Sequence, residues 1–405
     1  MSLYHPHAID PRLGGYFQNF RDDGTVFDPG FRHLVSSTRM VFNYAMAALY
    51  LAGDDAPTAR EDYLEAARHG LRYLEEAHWR PELEGYAWTL RDNEPVETIH
   101  QNYGLAFVVL AHAAALRAGI QEARKGLEKA SRIMERRFWL PDHGLYADDA
   151  APDWTVSDYR GQNSNMHACE AMIAAYEATG ESFYIDRARA LAANMTVRQA
   201  EKTGGLIWEH YHDDWSVDWD YNRDNPKHLF RPWGFQAGHQ TEWAKLLVIL
   251  ADHCREDWMI GRAVELFDRT MPVAWDGTHG GIVYGFAPDH EVSDGDKYFW
   301  VQAESLAAAA LLARSTGRER YWRWYDRIWE YSWNTMIDHR YGGWHRVLTQ
   351  QGRPYSDEKS IAGGKCDYHT MGACYDVLKR GFKDGGAIGP PSGPSFGAPP
   401  SRPLG

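Results

Sequence analysis

With 405 residues, 44% of them apolar and 24% charged, the chain has the composition of a folded globular protein and excludes a disordered one. A formal charge of −13, with the basic residues scattered rather than gathered into a stripe, excludes a phosphate-backbone footprint, so no nucleic acid is expected. The most apolar run, Leu105 to Leu116, contains His112 and is too short for a bilayer, and no basic-then-apolar leader precedes it; the expectation is a cytoplasmic protein without a membrane partner.

Cys169, Cys254, Cys366 and Cys374 form no CxxC pair and read as reduced core residues. The 17 Trp and 23 Tyr exceed what packing alone usually calls for, and aromatic faces line many small-molecule sites.

Along the chain, a glycine turn followed by apolar and aromatic residues recurs six times. The copies are Gly14-Gly15-Tyr16-Phe17, Gly85-Tyr86-Ala87-Trp88, Gly144-Leu145-Tyr146, Gly204-Gly205-Leu206-Ile207-Trp208, Gly280-Gly281-Ile282-Val283-Tyr284 and Gly342-Gly343-Trp344. A fixed period is the mark of a stacked supersecondary unit. Between the copies lie pairs of helical patterns, an Ala/Leu-rich one and then a one-faced one rich in Arg and Glu. The first runs over 31–52, is broken at 54–57, and its partner extends to about residue 77. The pairing returns at 98–118 with 121–138, 164–179 with 181–199, 238–253 with 255–271 and 298–316 with 318–337. A sixth apolar helix is expected at 366–381.

A helix that is apolar all round is buried, and a one-faced helix covers it. The expected fold is therefore an all-α, (α/α)6 barrel with short hairpin-like loops, a single domain over residues 1–384. Only 13 residues precede Gly14, so the sixth outer helix is expected to be short, missing or replaced. Residues 385–405, rich in Gly, Pro and Ser, read as an extended tail.

Near the start of the six inner helices stand Arg39, Tyr103, His167, His239, Glu304 and His369. In a closed ring those ends face one mouth. A lone His on an apolar helix is more often a packed core residue than a catalyst. A polar group in every repeat instead argues for a site. His167 with Glu170, and His239 with Glu242, place an imidazole and a carboxylate on one helical face, and His369 follows Asp367. Several imidazoles without a nucleophile elbow point to proton transfer. Ligation of Zn or Mn by the histidines is the competing chemistry, ranked lower because no HExxH arrangement is present and each of these histidines already has a local carboxylate on hand. A hydrolase would use Glu170, Glu242 or Glu304 as acid and base.

At these residues the sequence resembles the N-acylglucosamine 2-epimerase superfamily, in particular its mannose and aldose–ketose isomerase branch. The segments that carry the resemblance are Tyr159 to Glu170, Asp220 to Pro226, Gly238-His239-Gln-Thr-Glu242-Trp243, Trp300-Val-Gln-Ala-Glu304 and Asp367-Tyr-His369. The resemblance implies an (α/α)6 barrel and proton transfer beside the carbonyl of an open-chain sugar, with no cofactor and no metal. It implies that His239 and His369 are the catalytic acid/base pair. Arg39, Tyr103, Asn163, His167, Glu242, Trp300 and Glu304 would bind the sugar or orient those histidines. The implied activity is interconversion of D-mannose, or a similar free aldose, with D-fructose through a cis-enediol or enediolate. The alternatives are 2-epimerisation of mannose/glucose or of an N-acyl-hexosamine, and glycoside hydrolysis. The expected partner is a monosaccharide, with a homodimer as an open assembly. Lys365 and Val35 depart from the pattern of related isomerases and are expected close to the sugar. The loop 220–233 is a candidate lid or wall.

Overall fold

The computed structural model describes residues 1, 3–51 and 57–381. Most of the expected break at 54–57, the boundary at 384 and the tail 385–405 lie outside the described residues.

Eleven α-helices are found among the described residues: α1 (Leu34–Tyr50), α2 (Pro57–Tyr73), α3 (Asn102–Arg117), α4 (Ala123–Arg137), α5 (Gln162–Thr179), α6 (Ser182–Ala193), α7 (Ala237–Cys254), α8 (Asp257–Ala274), α9 (Phe299–Thr316), α10 (Glu319–Tyr331) and α11 (Tyr368–Asp376). None is long and apolar enough to cross a membrane. The odd-numbered helices form the inner ring. In α3 every residue from Gly104 to Leu116 is buried, whereas α4 buries one stripe, Leu127, Ala130, Ile133 and Met134 among it, and leaves its Arg and Lys outside. Neighbouring inner helices pack in sequence order, and α11 returns against α1 to close the barrel.

Among the described residues no twelfth helix is found. Residues 3–8 form a turn rather than a helix, with Tyr4 and Ala8 buried in the core. The Tyr4 hydroxyl donates to Asp367 Oδ2 at 2.6 Å, and its ring meets Phe20 edge-on at 5.6 Å. Of the cysteines, Cys169 and Cys366 are buried, Cys254 is partly buried and all four are free thiols; Cys374 is exposed, against the expectation of a core residue, because it faces the side this turn covers only partly.

The glycine turns end in short strands that stitch the ring. Each strand leading into an inner helix pairs antiparallel with the strand that follows the next glycine turn. The pairs are Phe31–His33 with Thr89–Arg91, His100–Gln101 with Asp149–Ala150, and Arg160–Gly161 with His210–Tyr211. The circuit continues with Phe235–Gln236 and Gly285–Phe286, Lys297–Tyr298 and Val347–Leu348, and closes with Glu358–Ser360 on Phe20–Arg21.

Two side-chain devices recur on this frame. Asp10, Asp276 and Asp338 each stand four residues before a double glycine, accept backbone N–H groups two and three residues on, and pair with a cation from a strand leading into an inner helix. The cations are Arg32, Lys297 and Lys359, at 2.5, 3.0 and 2.6 Å. The glycines occupy positive φ, +75° at Gly281, where an added Cβ would lie 2.5 Å from the Tyr331 ring. The fourth residue of α5, α7 and α9 is an amide, Asn165, Gln240 and Gln302. Each clasps both the N–H and C=O of a residue just past a glycine turn, Tyr146, Ile207 and Ile282.

If the N-terminal turn closes the barrel, Tyr4→Ala is expected to lower stability by about 3–5 kcal/mol and Tyr4→Phe by about 1 kcal/mol. Denaturant titration measures both, and two wild-type midpoints would show that the turn is not part of the closure.

Candidate active site

The inner helices present their polar residues in layers. The second residue of α3, α5, α9 and α11 is Tyr103, Asn163, Trp300 and His369, and the third of α7 is His239. One turn deeper, the sixth residue of α1, α5, α7 and α9 is Arg39, His167, Glu242 and Glu304. The ninth residue of α5, α7 and α11 is Glu170, Lys245 and Asp376. Spacings of three and four keep these side chains on the inward stripe. The six polar positions expected at one level therefore occupy two.

Arg39, Tyr103, Asn163, His167, His239, Glu242, Trp300 and His369 line one cavity of about 650 Å³, its open mouth included. Glu304 does not line it and stands behind His369. The walls that sequence reasoning missed are Tyr284, Tyr298, Arg346, Val347, Gly363 and Gly364, on the strands and turns of the last repeats, and Phe299, the first residue of α9. The loop 220–233 contributes Leu229, Phe230 and Pro232, so its expected role as a wall holds. Arg231 anchors it through an ion pair with Asp149 at 2.5 Å, and Lys227 through one with Asp296 at 2.6 Å. Lys365 and Val35, expected near the sugar, do not line the cavity. Both are fully buried, with Lys365 Nζ turned to Asp367 at 2.7 Å.

Each cavity histidine has one ring nitrogen fixed by a carboxylate, but two of the partners differ from those the spacing suggests. His239 Nδ1 bonds Glu209 at 2.9 Å, not Glu242. His167 and Glu170 do meet at the same three-residue spacing, so the spacing alone does not choose the partner; at His239 it is Glu209, beyond the glycine turn, that reaches Nδ1. His369 Nδ1 bonds Glu304 Oε1 at 2.7 Å, not Asp367. Asp367 sits at φ +57°, immediately before α11, and is taken up by Tyr4, Lys365 and Thr370. Only His167 keeps its expected partner, Glu170, at 2.9 Å. Glu209 was missed because it follows a glycine turn instead of lying on an inner helix. It is held in turn by Gln162, which accepts from Trp243 Nε1 at 2.8 Å, so two further residues of the recognised segments serve to aim His239.

With Nδ1 engaged, His239 and His369 both keep Nε2 for the cavity. Trp300 lies between them, its ring 4.9 Å from one imidazole and 5.7 Å from the other. Gly238 makes this possible, since a Cβ there would come within 2.3 Å of the indole. Arg39 donates to Tyr103 at 3.0 Å and lies over Phe107 at 4.3 Å and Tyr368 at 4.9 Å. Burial works against its charge, but the facing Tyr103, Cys366, Tyr368 and Glu242 hold it firmly protonated. Arg39 Nε, Asn163 Oδ1 and both oxygens of Glu242 are buried without a hydrogen-bond partner among the described residues. Buried polar atoms left open toward a cavity are available for a ligand.

Burial, and then Arg39, depress His369 well below the ordinary imidazole value, and burial lowers His167. Burial, with Glu304 beside it, drives the Glu242 carboxyl well above the carboxylate range. Glu242, Glu304 and His369 offer ligand atoms within 4.8 Å of one another, as do His167, Glu170 and Glu242. In the first group, however, Glu304 already pairs with the Lys245 ammonium at 2.6 Å, which supplies the cation a metal would.

The sequence matches the N-acylglucosamine 2-epimerase (GlcNAc 2-epimerase) family over residues 15–373. The chain belongs to this family. Within it, the chain is 51% identical over 381 residues to a D-mannose isomerase of Marinomonas mediterranea, covering 94% of each. A cellobiose 2-epimerase of Bacteroides fragilis is 22% identical, covering 91% of this chain and 93% of its own. A crystal structure of a D-mannose isomerase superposes with a TM-score of 0.90 at 51% identity, over 94% of this chain and 95% of that one.

On lowering the pH from about 8 to about 5, the His369 ring is expected to stay neutral while exposed histidines charge. Chemical shifts of labelled imidazoles, assigned with His369→Ala, read this directly. A His369 that titrates near 6.5 would contradict the assigned environment.

Proposed function

We propose that the chain is an aldose–ketose isomerase that interconverts D-mannose, or a similar free aldose, and D-fructose through a cis-enediolate. The observation that carries this reading is the pair of imidazoles facing one cavity. Each is aimed by a buried carboxylate, and Arg39 lies on the same walls. The 51% identity to a D-mannose isomerase supports the substrate.

A C2 proton next to an aldehyde is weakly acidic, so the enzyme must supply a neutral base and stabilise the oxyanion. His369, held neutral by burial and Arg39, takes the C2 proton on Nε2 and returns it to C1. Arg39, a permanent cation, balances the charge on the enediolate oxygens. His239 acts as the acid/base for ring opening and moves the hydroxyl proton between O2 and O1. Asn163 Oδ1 accepts from a sugar hydroxyl, and the protonated Glu242 donates to one. Tyr103, His167 and Trp300 shape the floor and the wall between the two imidazoles. Atoms and electrons balance within the sugar, so the step calls on no redox or group-carrying cofactor. Return of the proton to the other face of C2 would give 2-epimerisation instead, the activity named for the Bacteroides fragilis relative. The cytoplasmic location expected from the sequence belongs to the same proposal, and a homodimer remains its open assembly.

Mannose incubated with the protein in deuterated water and followed by NMR is expected to yield fructose labelled at C1. Labelled glucose without fructose would make it an epimerase. No product over a panel of aldoses would end both readings, and reducing sugar released from an oligosaccharide would favour a hydrolase. Turnover is expected to survive exhaustive chelation; its loss would restore the metal reading. His239→Ala, His369→Ala and Glu209→Gln should each lower kcat by about 10²–10⁴ with the circular dichroism unchanged, and a near-normal rate in any of them removes that residue from the mechanism.

A further inference from the structure

Behind the catalytic wall lies a second cavity of about 620 Å³, opening among the C-terminal halves of the inner helices. Glu304, Glu170, Lys245 and Asp376 line it, and of these none lines the front cavity. Lys245 is the ninth residue of α7, continuing the stripe that carries His239 and Glu242. It is almost wholly buried and reaches Glu304 Oε2 at 2.6 Å, with Asp376 at 3.8 Å. The other oxygen of Glu304 holds His369 Nδ1 at 2.7 Å. Lys245, Glu304 and His369 thus form one line from the back cavity to the front, supplied by α7, α9 and α11.

We propose that Lys245 is a positioning residue for the reaction, a buried counter-ion that keeps Glu304 ionised so that Glu304 can orient and polarise His369. This inference deepens the isomerase reading and rests on it. Lys245 cannot touch the sugar, because Glu304 and His369 stand between. The need for it follows from the charges that face Glu304. Glu170 on α5 opposes its ionisation, and Glu242 on α7, pushed toward its protonated form by Glu304, is the acid that gives way beside it. His369 and Tyr368 on α11, His167 on α5 and Arg39 on α1 are the remaining polar groups at this level, and Asp376 on α11 adds a further acid behind. Burial already pushes Glu304 above the ordinary carboxylate value, and Lys245 is the largest influence holding it down. An opposite charge at this distance commonly moves a carboxyl by about one to three pH units. A neutral Glu304 would still fill the space but would no longer fix the proton on His369 Nδ1 and leave Nε2 basic.

The sign of the effect is defined. Activity that needs ionised Glu304 is present above its pKa and lost below it. Removing Lys245 raises that pKa, and removing a positive neighbour also raises the pKa of His369; both move the acid limb of the pH profile upward. In Lys245→Met the acid limb of kcat/KM for mannose is expected to rise by about one unit or more, with most of the rate recovered on the alkaline side. Lys245→Arg should restore the wild-type limb. Lys245→Gln, which keeps a donor and drops the charge, gives the same reading should the Met variant fail to fold. An acid limb that stays in place in the neutral variants, whether the rate falls or not, overturns the proposal and leaves only a packing role. Wild-type protein that turns over no aldose would instead overturn the isomerase reading itself.

Discussion

The ring of antiparallel strand pairs at the mouth is the constraint on which the rest of the barrel depends. The first five inner helices are each tied, just before their first turn, to the strand of the next repeat, and the last pair, Glu358–Ser360 with Phe20–Arg21, set ahead of α11 by a loop, closes the circle. The buried Asp10–Arg32, Asp276–Lys297 and Asp338–Lys359 bonds fasten glycine turns to those strands. Charged pairs of this kind cost desolvation and are retained where geometry must be specified. What they specify here is the height of each helix. A helix that slid by one residue would carry its inward stripe out of the cavity.

That fixed height makes the carboxylate–imidazole bonds possible. Neither histidine at the mouth takes its carboxylate from its own helix. His239 is served by Glu209 from a neighbouring turn, and His369 by Glu304 from the neighbouring helix. The Glu304–His369 bond crosses a repeat boundary, from α9 to α11, and the Glu209–His239 bond spans the loop between a glycine turn and the helix that follows it. His167, bonded to Glu170 within α5, is the exception and lies one layer deeper.

Below the mouth the axis becomes a balance of buried charge. Arg39 and Lys245 face Glu170, Glu242 and Glu304 across two layers. With Glu170 and Glu304 bonded to imidazoles and Glu242 driven toward its protonated form, two cations meet two anions. Alanine-rich inner helices bring the backbones close enough for these groups to reach one another, and the covering outer helices keep water from screening them. The same arrangement leaves His369 neutral and Arg39 charged, the states that proton abstraction beside a carbonyl requires.

Much of this was readable in one dimension. Six glycine turns gave the period, and the alternation of apolar and one-faced helices gave two rings. The recurrence of polar residues near the inner helix starts picked out Arg39, Tyr103, His167, His239, Glu304 and His369, of which all but Glu304 line the cavity, and the family resemblance added Asn163, Glu242 and Trp300, which line it too. These features are local, since periodicity and helix start signals depend on neighbours within a turn or two. The partners of His239 and His369 were not readable. Spacing proposed Glu242 and Asp367, while the fold supplies Glu209 from the glycine turn before α7 and Glu304 from the neighbouring helix. The same holds for Lys245, the Gln162–Trp243 bond behind Glu209, and the turn of residues 3–8 in place of a twelfth helix. A hydrogen bond between repeats is set by the height and rotation at which two helices are pinned. That is decided by the strand ring and its buried ion pairs, not by the spacing of residues along either helix.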